Sequence, residues 1–285
     1  MTWETSGRAA EEEGAVPARP VGRRFAVAGA VLLAAMMGAQ VATGLSAGDV
    51  RLTTLVVLLL AASALTFAAA VHRPARAAAA FAAAAAVGYA AEWIGTRTGL
   101  PFGDYRYTGA LWPSPGGVPL VVALAWGGMG LAAQAVACRI VPADRATARA
   151  CVGALALTAW DLFLDPQMLR LGLWEWADPG PYRGVPLSNF AGWFLVSLLV
   201  MAVIGAIARD PAQGGAAVGG SVAGPAARGL APGGAGLVAL YTVMAVMETI
   251  AFAAVFRPPD PLVAAVGGIA MGTFAMSAWR RSWRR

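Results

Sequence analysis

Four acidic residues lie within the apolar stretches of this chain: Glu92, Asp161, Asp165 and Glu248. Ionisable side chains are costly in such surroundings and usually mark a functional site. Asp161 and Asp165 are four residues apart, which places both on one face of a helix. Because two carboxylates held together in an apolar setting cannot both ionise cheaply, at least one should stay protonated near neutral pH. The pattern predicts a general acid with a base beside it.

Two of the four acids also have a purely structural interpretation. Asp165 precedes a proline and could simply end its helix. Glu248 could form an ion pair with an arginine such as Arg257. Glu92 and Asp161 have no comparable explanation, so these two are the strongest catalytic candidates and Asp165 is the third.

The elements that must position these acids are membrane-spanning helices. The chain is 59% hydrophobic and 13% charged, whereas roughly a quarter of the residues in a soluble domain are charged. About 20 apolar residues cross the hydrocarbon core as a helix. We therefore predict an all-α, polytopic membrane helical bundle of eight spans, although the third is mostly alanine and alone could be a soluble helix. The spans are about 25–45, 51–71, 75–95, 118–138, 148–165, 190–208, 236–256 and 261–279.

The arginines predict how the bundle is oriented. With the N-terminus in the cytoplasm, cytoplasmic segments hold 15 of the 21 basic residues and outer segments hold 6, which is the asymmetry expected of a membrane protein. The protein should then span the cell membrane with both termini in the cytoplasm. At a rise of about 1.5 Å per residue, all four acids fall in the outer half of the membrane. The net charge of +6 and the C-terminal WRRSWRR indicate contact with anionic lipids, not nucleic acid.

The remaining composition divides the chain without adding a second domain. Residues 1–24 are polar and predicted to be a disordered cytoplasmic N-terminus, and 25–208 form the transmembrane core. The Gly/Ala/Pro-rich segment 209–235 is typical of a flexible linker, and 236–285 hold the last two helices and the basic C-terminus. No cleavable signal peptide is expected, because the first apolar run starts late and is long enough to span. One histidine and two cysteines predict no metal site.

The tetrapeptide GVPL occurs at 117–120 and again at 184–187, and a tryptophan follows each leucine by six residues, Trp126 and Trp193. Glycine permits a sharp turn, and proline suits the first turn of a helix. The phrase could be a common way to start a helix. The equal tryptophan spacing and matched topology instead favour an internal duplication of spans 3–4 and 5–6, related by an axis along the membrane normal, as in transporters with parallel repeats.

Two long outer loops, 96–116 and 166–183, concentrate aromatic residues above the acids. Trp and Tyr are ordinary anchors at the membrane interface, which explains any single one of them. Their concentration predicts a pocket lining, where aromatic faces could stabilise a developing carbocation. Asp104, in the FGDY segment, is either a turn residue or part of that pocket. The aromatic side chains are Phe102, Tyr105, Tyr107, Trp112, Trp174, Trp176 and Tyr182.

Three motifs resemble the membrane carotenoid biosynthesis family. They are EWIGTRTGLPFGDYRYT, AWDLFLDP with the later LWEW, and GVPLSNFAGW, within about residues 88–193. That family includes carotenoid 1,2-hydratases acting on γ-carotene and on bisanhydrobacterioruberin. The resemblance implies a carotenoid or other isoprenoid lipid substrate and addition of water to the terminal double bond of an acyclic end. It implies no cofactor, and other carotenoid-pathway enzymes as partners.

Hydration of such an alkene begins with protonation and leaves a tertiary cation that water captures. We predict that Asp161 or Glu92 donates the proton and that the other acid, or Asp165, orients the water. Asn189, at the start of span six, could hold that water. The predicted pocket around the chain end consists of Asp104, Tyr105, Tyr107, Trp174 and Trp176.

Three other functions fit the same residues. Asp161 and Asp165 have the spacing of an acidic motif that could hold Mg²⁺ on a diphosphate, as in a membrane prenyltransferase. A carotenoid cyclase would share the protonation step and differ in what captures the cation. Buried acids and parallel repeats also fit a non-enzymatic transporter or lipid-binding protein.

Overall fold

The computed structural model describes residues 20–46, 49–208 and 232–283, which form eight long apolar helices. Each is long and apolar enough to cross a membrane, so the predicted all-α polytopic bundle is confirmed. The alanine-rich third span is one of the eight. The helices are α1 (Pro20–Leu45), α2 (Val50–Val71), α3 (Pro74–Thr98), α4 (Leu120–Ile140), α5 (Ala146–Arg170), α6 (Leu187–Ala208), α7 (Pro232–Ile250, continued by a π-helical turn at Ala251–Val255) and α8 (Pro261–Trp283).

Two of the predicted segments are only partly covered by the described residues. Residues 1–19 of the predicted disordered N-terminus lie outside them, and α1 begins at Pro20. The predicted linker at 209–235 also falls largely outside them, since the described chain resumes within α7 at Pro232.

Helix α4 forms the centre of the bundle. It packs against α2, α3, α5, α6, α7 and α8, and the side chains of Trp126 and Met129 on it are almost completely buried. Helices α3 and α6 pack against each other on one side of α4, and α5 packs between α6 and α8. The acids predicted on α3 and α5 therefore lie on helices that share two neighbours, α4 and α6.

The connections at one end of the bundle carry the remaining regular structure, and we call this the loop end. Loop 1 (residues 99–119) contains strand β1 (Tyr105–Tyr107) and a short 3₁₀ helix (Pro115–Gly117). Loop 2 (residues 171–186) contains strand β2 (Trp174–Trp176). The strands pair antiparallel, with Tyr105 opposite Trp176 and Tyr107 opposite Trp174. The two loops thus form one β-ribbon over the ends of α3 and α5.

The two GVPL copies have matching local structure. Gly117 and Gly184 both have positive φ, 85° and 92°, which is the conformation that glycine tolerates best. The proline of each copy lies one residue before its helix, α4 or α6. The following tryptophans, Trp126 and Trp193, stack with ring centroids 4.1 Å apart and planes 17° from parallel. Equivalent positions of the two predicted repeats therefore meet at the middle of the bundle.

Candidate active site

Glu92, on α3 near the loop end, accepts hydrogen bonds from three side chains. The Tyr107 hydroxyl donates to Oε2 at 2.8 Å, and the Tyr105 hydroxyl donates to the same oxygen. The indole Nε1 of Trp126 donates to Oε1 at 3.1 Å. An ionised carboxyl is a pure acceptor, so it can satisfy all three donors at once.

The β-ribbon supplies the two tyrosines. Alternate residues of a strand point to the same side, and the inward-facing side chains are Tyr105, Tyr107, Trp174 and Trp176. Arg106 and Glu175 point the other way and form an exposed ion pair at 2.5 Å. The ribbon is therefore polar towards solvent and aromatic towards the acids.

The tyrosine hydroxyls remain donors across an ordinary assay range. Burial raises the pKa of Tyr105 and of Tyr107, and the negative charge of Glu92 raises both pKa values further. Both are therefore phenols at neutral pH and can donate to Glu92 continuously.

Asp161 and Asp165 lie one turn apart on α5 and share a single amide group. Asn189 Nδ2 donates to Asp161 Oδ2 at 2.8 Å and to Asp165 Oδ2. All three side chains are almost fully buried. The Oδ1 atom of Asp161 is buried without a hydrogen-bond partner among the described residues. Two carboxylates around one amide, away from water, are stable together only if a proton is shared between them.

The interpretation of Asp165 as a helix end is wrong, because α5 continues through Pro166 to Arg170. Proline has no N–H to give to the carbonyl four residues earlier, here that of Leu162. The Tyr182 hydroxyl of loop 2 donates to this carbonyl at 3.0 Å instead. A side chain from loop 2 therefore supports the turn of α5 that carries both acids.

A small cavity of about 20 Å³ lies between Glu92 and Asp165. A cavity of this size holds about one water molecule. Its walls combine the two acids and Asn189 with aromatic and aliphatic side chains, which are Phe102, Tyr105, Tyr107, Val122, Leu164, Trp174, Trp176 and Trp193. The arrangement can supply a proton, a base and a bound water within one largely apolar chamber.

Seven of the nine predicted site residues line this chamber, and Asp161 and Asp104 do not. Two of the loop aromatics, Trp112 and Tyr182, also lie outside its lining. Asp161 is hydrogen-bonded to Asn189 but does not line the cavity. Asp104 has an exposed side chain, and its carbonyl accepts a bond from Ala177 N that extends the ribbon. Glu248 is buried on α7, where its Oε2 has no partner among the described residues. Its suggested partner Arg257 donates to the carbonyl of Ala254 instead, so that ion pair is not formed.

Two tryptophans of the site, Trp126 and Trp193, were not predicted as site residues, and neither were the cavity-lining Val122 and Leu164. Trp126 binds Glu92, while Trp193 lines the cavity, stacks on Trp126 and meets the edge of Trp160 with centroids 6.1 Å apart. Both are the tryptophans that follow the GVPL copies at equal spacing. Their equal spacing was visible in the sequence, but it indicated an internal repeat and not that the tryptophans belong to the site.

Gly88 is required for Trp126 to reach Glu92. A methyl group at this position would come within 2.2 Å of the Trp126 ring, so we expect Gly88→Ala to displace the indole. The expected cost is about 1–3 kcal/mol of unfolding free energy, which thermal unfolding in detergent measures. Gly38→Ala on α1 is the matched control, because nothing lies within 4 Å of its added methyl, and equal behaviour of the two variants would contradict the packing argument.

The family of the chain follows from comparison with known proteins. Residues 53–257 match a family model described as carotenoid biosynthesis protein, which is well over half of the 285 residues. The chain belongs to the carotenoid biosynthesis protein family. This confirms the resemblance drawn from residues 88–193, and the match extends it on both sides.

A curated relative of the chain has a stated activity. A stretch of 110 residues, 38% of this chain, is 33% identical to the bisanhydrobacterioruberin hydratase of Haloarcula japonica. The alignment covers 37% of that relative's length, so the chain matches little more than a third of it. A search of the solved structures found no significant match.

Proposed function

We propose that this protein is an integral membrane hydratase that adds water to the terminal 1,2 double bond of an acyclic carotenoid end. The observation that carries this proposal is the single chamber in which Asp165, Asn189 and Glu92 surround space for one water molecule. Membership of the carotenoid biosynthesis family and the hydratase activity of the Haloarcula relative support the choice of substrate class.

In this mechanism the Asp161–Asp165 pair is the acid. Its proton adds to C2 of the terminal isopropylidene group, the double bond's electron pair forms the new C–H bond, and C1 becomes a tertiary cation. Asp165 makes the transfer, because it lines the cavity whereas Asp161 lies behind Asn189. Asp161 keeps the pair protonated by sharing the charge.

Glu92 is the base. The water oxygen bonds to C1, and a proton from that water passes to the Glu92 carboxylate, giving the tertiary alcohol. The proton then returns to the acid pair, so the cycle consumes one water and no net proton. Glu92 was predicted to be either the proton donor or the base. We assign it as the base because its three hydrogen-bond donors favour the ionised form.

The aromatic walls suit the cation between these two steps. Trp193, Trp174 and Tyr107 all line the cavity, and an aromatic face attracts a positive charge within about 6 Å of its centre. The same walls limit the water to one position, which protects the cation from uncontrolled side reactions.

Space for a water molecule favours hydration over cyclisation of the same chain end. A cyclase must exclude water so that a distant double bond captures the cation, whereas this cavity has room for a water beside two polar acceptors and an amide. A cavity of about 20 Å³ is also too small for an isoprenoid end. We infer that the aromatic β-ribbon moves aside when the substrate binds.

The Mg²⁺-dependent prenyltransferase is disfavoured by the position of Asn189. Its amide donates to the facing oxygens of both aspartates, so an N–H group stands where a cation ligated by both would have to bind. A transporter would use the same acids without chemical change of the substrate.

Expression in a host that accumulates acyclic carotenoids, followed by mass analysis of the pigments, tests the proposal. Hydration predicts a mass gain of one water per modified end, and incubation of purified protein in water enriched in the heavy oxygen isotope predicts a labelled hydroxyl. An altered absorption spectrum without a mass change would indicate cyclisation. Unchanged pigment would contradict the enzyme assignment, and flux of pigment between liposomes would then support transport.

The proposal includes the orientation predicted from the arginines. The loop end, and with it the active chamber, would face the outside of the cell, and carotenoid would enter from the lipid. Labelling of single cysteines introduced at exposed positions of loop 1 with a membrane-impermeant reagent tests this placement.

A further inference from the structure

Loop 2 ends in a tight hairpin between β2 and α6. Gly180 pairs with Gly184, and Tyr182 pairs with Val185 in a narrow antiparallel bridge. The residue between the two bridges, Arg183, has a φ of 53°. A non-glycine residue seldom adopts this left-handed conformation unless the surrounding contacts hold it there. The hairpin tip is therefore a constrained point.

The Arg183 side chain crosses from the hairpin to the α7–α8 connection. Its Nε lies 2.6 Å from Asp260 Oδ2, and its Nη2 donates to Asp260 Oδ1 at 2.8 Å. The Asp260 side chain is only 10% exposed and also accepts a bond from Val263 N at the start of α8. A two-pronged arginine–carboxylate pair fixes orientation as well as distance. We call this contact the Arg183–Asp260 clasp.

The charge state of the clasp is stable in ordinary buffers. Burial raises the pKa of Asp260, but the hydrogen bonds from Arg183 and Val263 N, together with the positive charges of Arg183 and Arg170, outweigh burial and leave that pKa below its ordinary value. The carboxylate is therefore ionised wherever the enzyme would be assayed. A second bond between the same regions runs from Arg170 Nη1 to the carbonyl of Pro258 at 2.6 Å.

The hairpin is connected to residues of the proposed catalytic site in two ways. Asn189 follows Arg183 by six residues. Its backbone N–H donates to the carbonyl of Pro186, the residue before α6. Tyr182, the neighbour of Arg183, donates to the carbonyl of Leu162, next to Asp161. The tip of the hairpin is thus connected both to the amide that bridges the acid pair and to the helix turn that carries it.

We propose that Arg183 and Asp260 are positioning residues that set Asn189 against the Asp161–Asp165 pair. They touch neither the cavity nor the acids, and they act by fixing the hairpin against the last two helices. This inference rests on the proposed function for its catalytic consequence, since the acid pair is the proton donor there. It also gives the last two helices a role in a site whose chamber is lined by α3 to α6 and the two loops.

A double-mutant cycle tests the clasp. The variants are Arg183→Gln, Asp260→Asn and the two combined, and asparagine at 260 keeps an oxygen for Val263 N. We expect each single variant to lower kcat roughly tenfold and the combined variant to lower it by about the same factor, because both changes remove one interaction. KM should change by less than about twofold, since the substrate chamber keeps its lining.

Arg257→Gln is the matched control. Arg257 lies in the same connection, and its side chain donates locally to the carbonyl of Ala254, so kcat should not change. The clasp is refuted if both single variants retain the wild-type kcat, or if their effects multiply in the combined variant. Losses that appear in KM alone would also refute a role in positioning the acid pair.

A second measurement keeps the clasp testable if the wild-type protein hydrates no carotenoid. In that case the proposed function fails, and hydrogen exchange of the backbone amides in 184–192 decides the structural part. Exchange there should be faster to the same degree in Arg183→Gln, Asp260→Asn and the combined variant, and unchanged in Arg257→Gln. Wild-type exchange rates in Asp260→Asn would overturn the inference independently of activity.

Discussion

Asp165→Asn is expected to reduce the rate of hydration by about 10²- to 10⁴-fold, the usual contribution of a general acid. Asp165 is the member of the acid pair that lines the cavity. The replacement has nearly the same volume but cannot release a proton to an alkene. It also faces Asn189 with a second amide, and rotation of that amide can still present an oxygen to the Asn189 N–H. We therefore expect a folded protein that binds substrate and fails in the chemical step.

Asp161→Asn should give a comparable or somewhat smaller loss. Asp161 does not line the cavity, but it shares Asn189 with Asp165, and the proton stays on the pair because both carboxyls compete for it. An amide at 161 leaves Asp165 as a lone acid that ionises more readily. The effects of the two substitutions should not multiply in the double variant, because the pair acts as a unit.

Initial rates in proteoliposomes, with unfolding temperatures for each variant, check this expectation. Asp144→Asn is the control, since Asp144 is exposed in the connection between α4 and α5, at the opposite end of the bundle. Wild-type rates in both Asp161→Asn and Asp165→Asn would exclude the pair as the acid. If each variant's rate falls in proportion to its unfolding temperature, the two acids have a structural role instead.

The meeting of the acids could be predicted from the sequence because helix geometry is regular. A constant rise per residue and alternating spans put Glu92, Asp161 and Asp165 at one level. Glu92 and Asp165 do line one chamber, and Asp161 is hydrogen-bonded to Asn189 beside it. Rotation about a helix axis is not fixed by such counting. Glu248 has a similar predicted depth, yet no hydrogen bond joins it to the other three among the described residues.

The contacts of the acids could not be predicted, because they depend on pairing between distant segments. The register of β1 with β2 decides that both tyrosines face Glu92, and no local pattern specifies that register. Asn189 was predicted to hold a water, and that remains a prediction; the bridge that its amide makes between Asp161 and Asp165 was not foreseen. The support of Pro166 by Tyr182 likewise joins residues that only the folded chain brings together.

Glu92→Gln is the second large effect, an expected loss of at least about 10²-fold in hydration rate. The amide has the shape of the carboxylate but cannot accept the proton that leaves the water. It also introduces a hydrogen-bonding conflict. Glu92 receives donors at both oxygens, two tyrosine hydroxyls at Oε2 and Trp126 Nε1 at Oε1. A glutamine must present its N–H₂ group to one side: towards Trp126 it would face another donor, and towards the tyrosines both hydroxyls would have to turn and accept.

This conflict means that Glu92→Gln alone does not separate a base from a residue that merely holds the ribbon. Glu92→Asp keeps the charge and shortens the side chain by one methylene, so it weakens the contacts with the tyrosines but retains the base. Tyr107→Phe makes the converse change, because it removes one donor and leaves the carboxylate at its full length. If Glu92 is the base, both variants should retain more activity than Glu92→Gln.

The ranking of these variants decides the role of Glu92. Rates of hydration should follow wild type, then Tyr107→Phe, then Glu92→Asp, with Glu92→Gln lowest by a wide margin. Unfolding temperatures should instead fall for all three, because each disturbs buried hydrogen bonds worth about 1–3 kcal/mol. If rates follow unfolding temperatures across the series, Glu92 only anchors the ribbon. Full activity in both Glu92→Gln and Asp161→Asn would remove the proposed mechanism, since neither the base nor the shared acid pair would then be needed.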